Sequence, residues 1–353
     1  MPTHTYNEAN NMTTHLTLLG DINLMGVTDP TRPFAQVGDR MRATDVLFAN
    51  LECCFFDNKS ERSVNAEGFF ANPAHCSALV EGGVHVIGNG NNVNFGAPAI
   101  RSSIECLESH GVAFTGAGRN TAEAHRPVII ERNGVRFGFM QRTSVYWTHG
   151  HEAEDDTAGV AILPGHTAYR PRLEDTKSLT RPGNSPEVLT WADPVRLERH
   201  RDEIATLRKE CDILVASQHW GLGPDVLSYQ REIAHAAIDA GADLVFGHGP
   251  HYTLPIECYR GKTIIYGAGS FSFETGHRAQ KHPDWLGIMV EAEVDGAQIT
   301  DLHVQFVRHN ADNETILRSA DQEASFLSGL SEQSAVLNAT LEADGERVRV
   351  TAK

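Results

Sequence analysis

The sequence has 353 residues, of which 41% are hydrophobic, and a formal net charge of -16 from 46 acidic and 30 basic side chains. This charge argues against nucleic acid or an anionic membrane as a partner, because both require a positively charged surface. No run approaches the roughly 20 apolar residues of a membrane-spanning helix, and residues 1–14 lack the pattern of a signal peptide. We therefore expect a cytoplasmic protein with a sizeable core.

The histidine and cysteine content favours metal or proton chemistry over disulfide bonds. Eighteen histidines are many for this length, and histidine is a common metal ligand that also titrates near neutral pH. The six cysteines form no C-x-x-C pair, and a chain of this length needs no disulfide framework. We interpret most of them as small core residues, although Cys53 and Cys54 follow an acid, Glu52.

The first half of the chain alternates predicted strands and helices. The predicted strands are His15–Leu19, Val46–Asn50, Val84–Ile87, Val112–Thr115 and a hairpin of Pro127–Arg132 and Val135–Gln141, and the predicted helices are Pro73–Glu81 and Ala97–Ser109. Asp21 follows the first strand and Glu52 follows the second, at the edge where open α/β sheets bind ligands. An acid at such a place is also a common turn or helix-capping residue, so each is only a candidate ligand.

Four asparagines lie among the six residues 89–94, after the third predicted strand. This composition is typical of turns, because asparagine and glycine tolerate left-handed backbone and form Asx-turns. It also suits a functional site, since an asparagine oxygen can bind a hard metal ion and its amide can stabilise an oxyanion. The pattern leaves both interpretations open for Asn91.

Residues 143–193 interrupt the alternation and are rich in proline, glycine, threonine and charge. Trp147, His149 and His151 lie near the start of this segment. Long irregular segments in compact domains often act as lids or binding loops, so we expect it to cover the site and to select the substrate. A disordered insertion would give the same pattern.

The second half resumes with Asp193 as a predicted helix N-cap. One predicted helix spans residues 194–210, and a second is capped by Ser228 and ends at Ala240. The predicted strands are Ile213–Ala216, Leu244–Phe246, Thr263–Tyr266, Gly287–Val294 and Ile299–Val307. His219 follows one of these strands, and His248 and His251 follow another. Turns at Gly247 and at Gly249-Pro250 would let the side chains of His248 and His251 face one point. Residues 308–353 are expected to form a mixed C-terminal extension ending in a hairpin.

Six polar side chains are thus expected at the ends of strands: Asp21, Glu52, Asn91, His219, His248 and His251. Mixed oxygen and nitrogen donors of this kind are typical of two divalent transition-metal ions that share a carboxylate and keep positions open for water and substrate. Zn, Mn, Fe or Co would suit such a set. A single histidine more often makes a local hydrogen bond, so this prediction depends on the whole set.

Several of these motifs together resemble the CapA family of poly-γ-glutamate capsule biosynthesis proteins. The residues that carry the resemblance are Gly20-Asp21, Asn50-Leu51-Glu52, the Asn-rich turn, Gly116-Ala117-Gly118, Asp212-Ile213-Leu214-Val215 to His219-Trp220-Gly221, Gly241-Ala242-Asp243, Gly247-His248-Gly249-Pro250-His251, Pro255-Ile256-Glu257 and Ile265-Tyr266-Gly267 to Phe271. They span most of residues 15–307. The CapA family is itself similar to calcineurin-like metallophosphoesterases, which implies a single α/β domain over residues 1–353.

The implied fold is a four-layer α/β-β/α sandwich of metallophosphoesterase type, with a dinuclear metal centre at the strand ends. The resemblance implies that Asp21 and His251 hold one ion, that His219 and His248 hold the other, and that Glu52 bridges them. We expect Asp21, Asn91 and His219 to act in catalysis, and we expect the substrate to contact Trp147, His149, Trp220 and His277.

The sequence also departs from the metallophosphoesterase pattern. Asn23 and Asn91 stand where that pattern has histidines, and Gly90 stands where it has a ligand asparagine. A shift of one residue would place Asn92 at the second histidine position, so no alignment restores the imidazole. An amide cannot donate a proton at neutral pH, so a proton donor would have to come from the loops. The candidates there are His149, His151, His277 and His282.

We therefore expect a metal-dependent hydrolase in which a metal-bound hydroxide attacks an amide or ester-like bond of a small molecule or peptide, such as a glutamyl peptide. One alternative is a metal-independent peptide epimerase that moves a proton at Cα through Asp21, a histidine or a cysteine such as Cys53. Another is a non-catalytic accessory protein that binds poly-γ-glutamate, against which the net charge of -16 weighs.

Overall fold

Two β-sheets face each other, and helices cover the outer face of each. The computed structural model describes residues 13–57, 68–172, 183–276, 281 and 285–353. The strands are β1 Thr14–Asn23, β2 Val46–Leu51, β3 Cys54–Phe55, β4 Phe70–Ala71, β5 Val86–Gly88, β6 Ala113–Thr115, β7 Ala117–Gly118, β8 Val128–Arg132, β9 Val135–Thr143, β10 Gly159–Val160, β11 Gly165–Arg170, β12 Glu187–Ala192, β13 Ile213–His219, β14 Leu244–His248, β15 Ile256–Tyr259, β16 Lys262–Ile265, β17 Ser270–Phe273, β18 Gly287–Asp295, β19 Gln298–His309, β20 Thr315–Arg318, β21 Ala339–Asp344 and β22 Arg347–Ala352.

The helices lie mostly between successive parallel strands, as crossover connections require. They are α1 Gly38–Arg42, α2 Ser77–Glu81, α3 Ala97–Ser109, α4 Thr121–His125, α5 Pro194–Leu207, α6 Ser228–Asp239 and α7 Ala324–Ala335, with a 3-10 turn at Pro73–Cys76. Asp193 caps α5 as predicted, because its side chain accepts hydrogen bonds from the N–H groups of Val195 and Arg196. No helix in the described ranges combines the length and apolar character needed to cross a membrane.

The first sheet has ten strands and the second has six. The order in the first is β21-β22-β19-β18-β1-β2-β5-β6, with β17 also paired to β1 and β20 to β19. The order in the second is β15-β16-β14-β13-β9-β8. The strands β1, β2, β5 and β6 run parallel, as do β9, β13, β14 and β16, so each sheet gathers the carboxyl ends of its parallel strands at one edge.

Alternation of side chains along the strands builds the layers. In β2, Val46 and Phe48 belong to the core between the sheets, whereas Leu47 and Ala49 pack under the helices. The ring of Phe48 stacks across the interface on Phe139 of β9, with centroids 5.4 Å apart. The protein is therefore an α/β four-layer α/β-β/α sandwich, which confirms the predicted fold class.

The structure corrects several predicted boundaries. β1 continues to Asn23, so Asp21 lies inside the strand, because β17 pairs beside its second half with Asp21 opposite Ser270. Gly20 permits this approach, since a Cβ there would lie 2.1 Å from the carbonyl oxygen of Gly269. Ser228 is the first residue of α6 rather than its cap, which is Leu227. Residues 143–193 include β10 and the antiparallel pair of β11 and β12.

The C-terminal elements join the sandwich on two sides. β22 pairs with β19 of the first sheet, with Val348 opposite Val304. Near the end of α7, Oγ of Ser334 accepts a hydrogen bond from the N–H of Ile256 in β15 of the second sheet. The predicted hairpin is present as β21 and β22. These contacts attach the C-terminal elements to both sheets.

Candidate metal centre

Five of the six predicted ligand residues lie together where strands of both sheets end. Asp21 and Glu52 come from the β1 and β2 edge of the first sheet, and His219 and His248 end neighbouring strands of the second, in register. His251 follows on the loop after β14. The first four side chains are buried, and that of His251 is 27% exposed. Among these five side chains, solvent therefore reaches that of His251.

The imidazoles face the carboxylates at distances close to those between ligands of one ion. Nδ1 of His251 lies 3.0 Å from Oδ2 of Asp21, and Nδ1 of His248 lies 3.2 Å from Oδ1 of Asp21. Oε1 of Glu52 lies 3.5 Å from Nε2 of His219 and 3.6 Å from Nε2 of His251. His251 thus turns one nitrogen towards each carboxylate, and donor atoms of Asp21, Glu52 and His251 lie within 4.8 Å of one another.

A tight left-handed turn delivers His251. Gly249 has φ 108° and His251 itself has φ 58°, a conformation that costs a non-glycine residue free energy and is common at functional sites. A Cβ on Gly249 would lie 2.6 Å from the carbonyl oxygen of Trp220 and 3.1 Å from Nε2 of His219. Only glycine therefore fits between the two histidine-bearing segments.

Thr143, the last residue of β9, fixes the tautomer of His219. Its hydroxyl donates to the carbonyl oxygen of Val145 at 2.7 Å, so it can accept from Nδ1–H of His219 at 3.1 Å. The proton on Nδ1 leaves a lone pair on Nε2, which faces Glu52. Burial lowers the pKa of His219 to about 4, which keeps this imidazole neutral at pH 7. A fixed neutral tautomer of this kind is what metal-binding histidines require.

His248 is the strongest indication that the cluster suits a cation. Its side chain is fully buried, and burial lowers its pKa, so the ring is neutral. Neither ring nitrogen makes a hydrogen bond to any described residue, and neither does Nε2 of His219. Buried polar atoms without partners are costly, and a metal ion would satisfy lone pairs aimed at the carboxylates.

The two carboxylates have opposite pKa shifts. Burial disfavours the ionised form of Asp21, but the close contacts with the imidazoles of His248 and His251 outweigh this effect and hold the pKa of Asp21 well below the usual range. Burial and the negative charge of Asp21 together raise the pKa of Glu52 well above its ordinary value. A divalent cation would favour the ionised form of both groups, so the residues present fit such an ion.

Backbone groups engage the side-chain amides of Asn91 and Asn23. Nδ2 of Asn91 donates to the carbonyl oxygen of Leu51 at 2.7 Å, and its Oδ1 accepts from the N–H groups of Val93 and Asn94. Asn23 likewise donates to the carbonyl oxygen of Thr275 and accepts from the N–H of Met25. The oxygen and the nitrogen of each amide are therefore both engaged by backbone groups, which weighs against Asn91 as a ligand or catalytic group.

Residues at the start of segment 143–193 pack on the Asn-rich turn. Nε1 of Trp147 donates to the carbonyl oxygen of Asn92 at 2.9 Å, and its ring lies beside Phe95, with centroids 5.9 Å apart. His151 accepts at Nδ1 from the N–H of Trp147 and contacts the carbonyl oxygen of Asn94 with Nε2 at 3.1 Å. Burial lowers the pKa of His151 to about 4, so its imidazole is neutral at pH 7 and is a poor proton donor.

The other predicted substrate contacts have different outcomes. Trp220 is fully buried, stacks on Tyr266 and donates from Nε1 to its carbonyl oxygen, so in this structure it belongs to the core and cannot reach a substrate. His149 is exposed. His277 and the alternative donor His282 lie outside the described residues.

Cys53 and Cys54 are also buried, and burial raises the pKa of both thiols, that of Cys54 to about 12. At neutral pH each is therefore a protonated thiol. Neither the nucleophile of a covalent reaction nor the base of a proton transfer would be available from them.

Sequence reasoning missed Asn50 and Gln141, two buried amides that contact the carboxylates or each other. The sequence feature that could have identified them is a polar residue at an inward position of an otherwise apolar strand. Such a residue needs a buried hydrogen-bond partner, but the pattern does not say which partner it finds.

Comparison with known proteins gives consistent relatives. A family described as bacterial capsule synthesis protein PGA_cap matches residues 3–275. The PGA biosynthesis protein CapA of Bacillus subtilis is 27% identical over 249 residues, which cover 69% of this chain and 57% of that protein. A probable polyglutamine synthesis accessory protein of Mycobacterium tuberculosis is 29% identical over 247 residues, covering 64% and 55%. The chain thus spans a little over half the length of these two relatives.

Among solved structures, a hypothetical protein from Thermus thermophilus superimposes with a TM-score of 0.50 and 13% identity. The match covers 84% of this chain and 100% of that one. At this identity the likeness concerns the fold alone, which agrees with the four layers described above.

Proposed function

The chain belongs to the bacterial capsule synthesis protein PGA_cap family, and from this premise we propose that it is a metal-dependent hydrolase acting on an amide or ester-like bond. The observation that carries the proposal is the set of unpartnered, buried nitrogens of His219 and His248 facing Asp21 and Glu52. A structural role alone gives no reason to bury two neutral imidazoles against two carboxylates without hydrogen bonds.

The side chains that would hold one or two ions are Asp21, Glu52, His219, His248 and His251. A bound Zn, Mn, Fe or Co ion would supply a water of lowered pKa and would polarise the scissile carbonyl. The chain itself would orient these ligands and exclude bulk water from the four buried ones. Glu52 would lose its proton when the ion binds, because the cation reverses the effect of its neighbour Asp21.

For the substrate we propose a peptide-like chain with glutamyl residues. The relatives support this choice, because they are named for PGA biosynthesis and for polyglutamine synthesis. Segment 143–193 would act as the lid, since Trp147 and Phe95 at its contact with the Asn-rich turn are both partly exposed and could pack on a bound chain. We place the enzyme in the cytoplasm with the machinery that makes such chains.

Elemental analysis combined with an activity assay tests this proposal. Protein purified without added metal should contain close to one or two transition-metal ions per chain, and it should cleave a γ-glutamyl oligopeptide. Removal of the ion with a chelator should abolish cleavage, and addition of Mn or Zn should restore it. Full cleavage by a preparation free of metal would refute the proposal.

A second candidate is a metal-independent epimerase, and one contact favours it. The imidazole of His251 lies between Asp21 and Glu52, and although burial disfavours its charge, the two carboxylates raise its pKa to about 9. A charged imidazole beside a carboxylate could return a proton to Cα on the face opposite to the group that removes it, without net oxidation. Incubation of a glutamyl peptide in deuterated water separates the two, because epimerisation exchanges the Cα proton without cleavage.

The third possibility, a non-catalytic accessory protein, follows the name of the mycobacterial relative. It predicts binding of the peptide with neither cleavage nor exchange. The same two assays therefore distinguish all three functions.

A further inference from the structure

A buried glutamine lies between the two sheets, directly behind the carboxylates. Gln141 is in β9 of the second sheet and is completely buried. Its Nε2 donates to Oδ1 of Asn50 at 2.9 Å and to Oγ of Ser217 at 3.2 Å, and its Oε1 accepts from the N–H of Gly90 at 2.6 Å. Both amide hydrogens and the amide oxygen are therefore engaged, which fixes the orientation of this side chain.

Asn50 transmits this orientation to the carboxylates. Its Nδ2 donates to Oδ1 of Asp21 at 2.8 Å and to Oε2 of Glu52 at 2.9 Å. One amide nitrogen thus holds both acids at a set separation. If the amide turned over, its oxygen would face two carboxylate oxygens, and those contacts would be repulsive. The bond from Gln141 to Oδ1 of Asn50 prevents that rotation.

The surrounding backbone leaves space for this glutamine. A Cβ on Gly88 would lie 2.5 Å from Nε2 of Gln141, and a Cβ on Gly116 would lie 2.8 Å from its Oε1. Gly116 also has φ 100°, which disfavours any other residue. Two glycines from the first sheet and its following turn therefore accommodate one polar side chain from the second.

We propose that Gln141 is a positioning residue for the metal centre and acts through Asn50 by holding Asp21 and Glu52 in ion-binding geometry. This inference rests on the proposed function, because it requires that the centre binds a divalent ion. Groups that orient metal ligands from behind change metal affinity by about 10–100-fold when they are removed. Gln141 itself would contact neither the ion nor the substrate.

The test measures metal affinity rather than activity. Mn²⁺ is titrated calorimetrically into the metal-free full chain, as wild type and as Gln141→Met, which keeps the volume and removes the hydrogen bonds. The variant should bind about 10–100-fold more weakly. Gln305→Met is the matched control, because Gln305 is also buried and donates to the carbonyl oxygen of Arg318. It should bind like wild type.

A double-mutant cycle tests whether the effect passes through Asn50. If it does, Gln141→Met combined with Asn50→Ala should bind no more weakly than Asn50→Ala alone. Additive losses, or an affinity of Gln141→Met within about threefold of wild type, would overturn the inference and leave the proposed function intact. If the wild type itself binds no Mn²⁺ or Zn²⁺, the proposed function fails as well. Should Gln141→Met not fold, Gln141→Asn replaces it, because the shorter amide cannot span Gly90 and Asn50.

Discussion

Nδ1 of His248 lies 3.2 Å from Oδ1 of Asp21, and both side chains have no exposed surface. The imidazole belongs to the second sheet and the carboxylate to the first, so the pair bridges the two sheets where their strands end. Neither side chain is in contact with bulk solvent in the folded protein. The contact therefore makes His248 the most direct place to test metal binding.

His248→Ala is expected to lose both the ion and hydrolysis, because the ring offers a buried lone pair that no neighbouring side chain can supply. Metal content by elemental analysis should fall to a small fraction of the wild-type value. His166→Ala serves as the control, since His166 lies on β11 with a side chain 43% exposed. Wild-type metal content in His248→Ala would contradict its assignment as a ligand.

Thr143→Val should lower metal affinity by about 10–100-fold, because it removes the oxygen that accepts from Nδ1–H of His219 while keeping the shape of the side chain. Thr143→Ser retains the hydroxyl and should bind nearly as well as wild type. Calorimetric titration of the two metal-free variants gives the comparison. Equal affinities for valine and serine would show that the tautomer of His219 is set by another group.

Gly249→Ala should destabilise the protein and weaken metal binding. Positive φ alone costs an alanine about 1 kcal/mol, and here its Cβ would also collide with the backbone of Trp220 and approach His219. Gly261→Ala isolates the first effect, because Gly261 has φ 73° and a Cβ added there would meet nothing within 4 Å. The free energies of unfolding in urea should differ by more than about 1 kcal/mol between the variants. Similar values would mean that the turn can shift.

The metal-free protein should lose stability as the pH falls below about 6.5, and His200 contributes to this loss. Burial lowers its pKa from 6.5 to about 3, so the unfolded chain binds a proton in this interval that the folded chain does not. The contribution of His200 to the free energy of unfolding is fully present above pH 6.5 and declines by about 1.4 kcal/mol per pH unit on acidification. His151 and His219, with pKa values lowered to about 4, act in the same direction.

Urea unfolding between pH 4 and 8 measures this dependence. His200→Gln should reduce the slope of the free energy of unfolding against pH between pH 4 and 6. The reduction should correspond to about one proton taken up on unfolding, because glutamine does not titrate there. A slope identical to that of the wild type would show that His200 is protonated in the folded state.

Much of the fold could be predicted because local patterns dictate it. The apolar runs in β2, β13 and β14 indicate strands without any knowledge of the strands they pair with. The position of His219, His248 and His251 near strand ends could be predicted for the same reason, since polar residues that close or follow an apolar run are visible in the sequence. The burial of Trp220 could not be predicted, because its position beside His219 does not indicate which side of the sheet its side chain faces.

The hydrogen bonds behind the ligands could not be predicted. Gln141 reaches Asn50 across 91 residues of sequence, and Thr143 reaches His219 across 76. Sequence spacing carries no information on such pairings between elements that meet only when the sheets pack. The two hydrogen bonds that Oδ1 of Asn91 accepts are local, but the same residues fit a turn or a ligand equally well. The lid role of 143–193 stays a prediction.

Because the candidate ligands come from both sheets, a bound ion would also affect the stability of the folded protein. An ion held by Asp21 and Glu52 of the first sheet and by His219 and His248 of the second would cross-link the two sheets. Neither sheet alone offers a complete binding site. Such an ion would bind only the assembled sandwich and would add about 2.7 kcal/mol to its stability at a free concentration about one hundred times the Kd. The supply of metal would then regulate the lifetime of the folded protein as well as its chemistry.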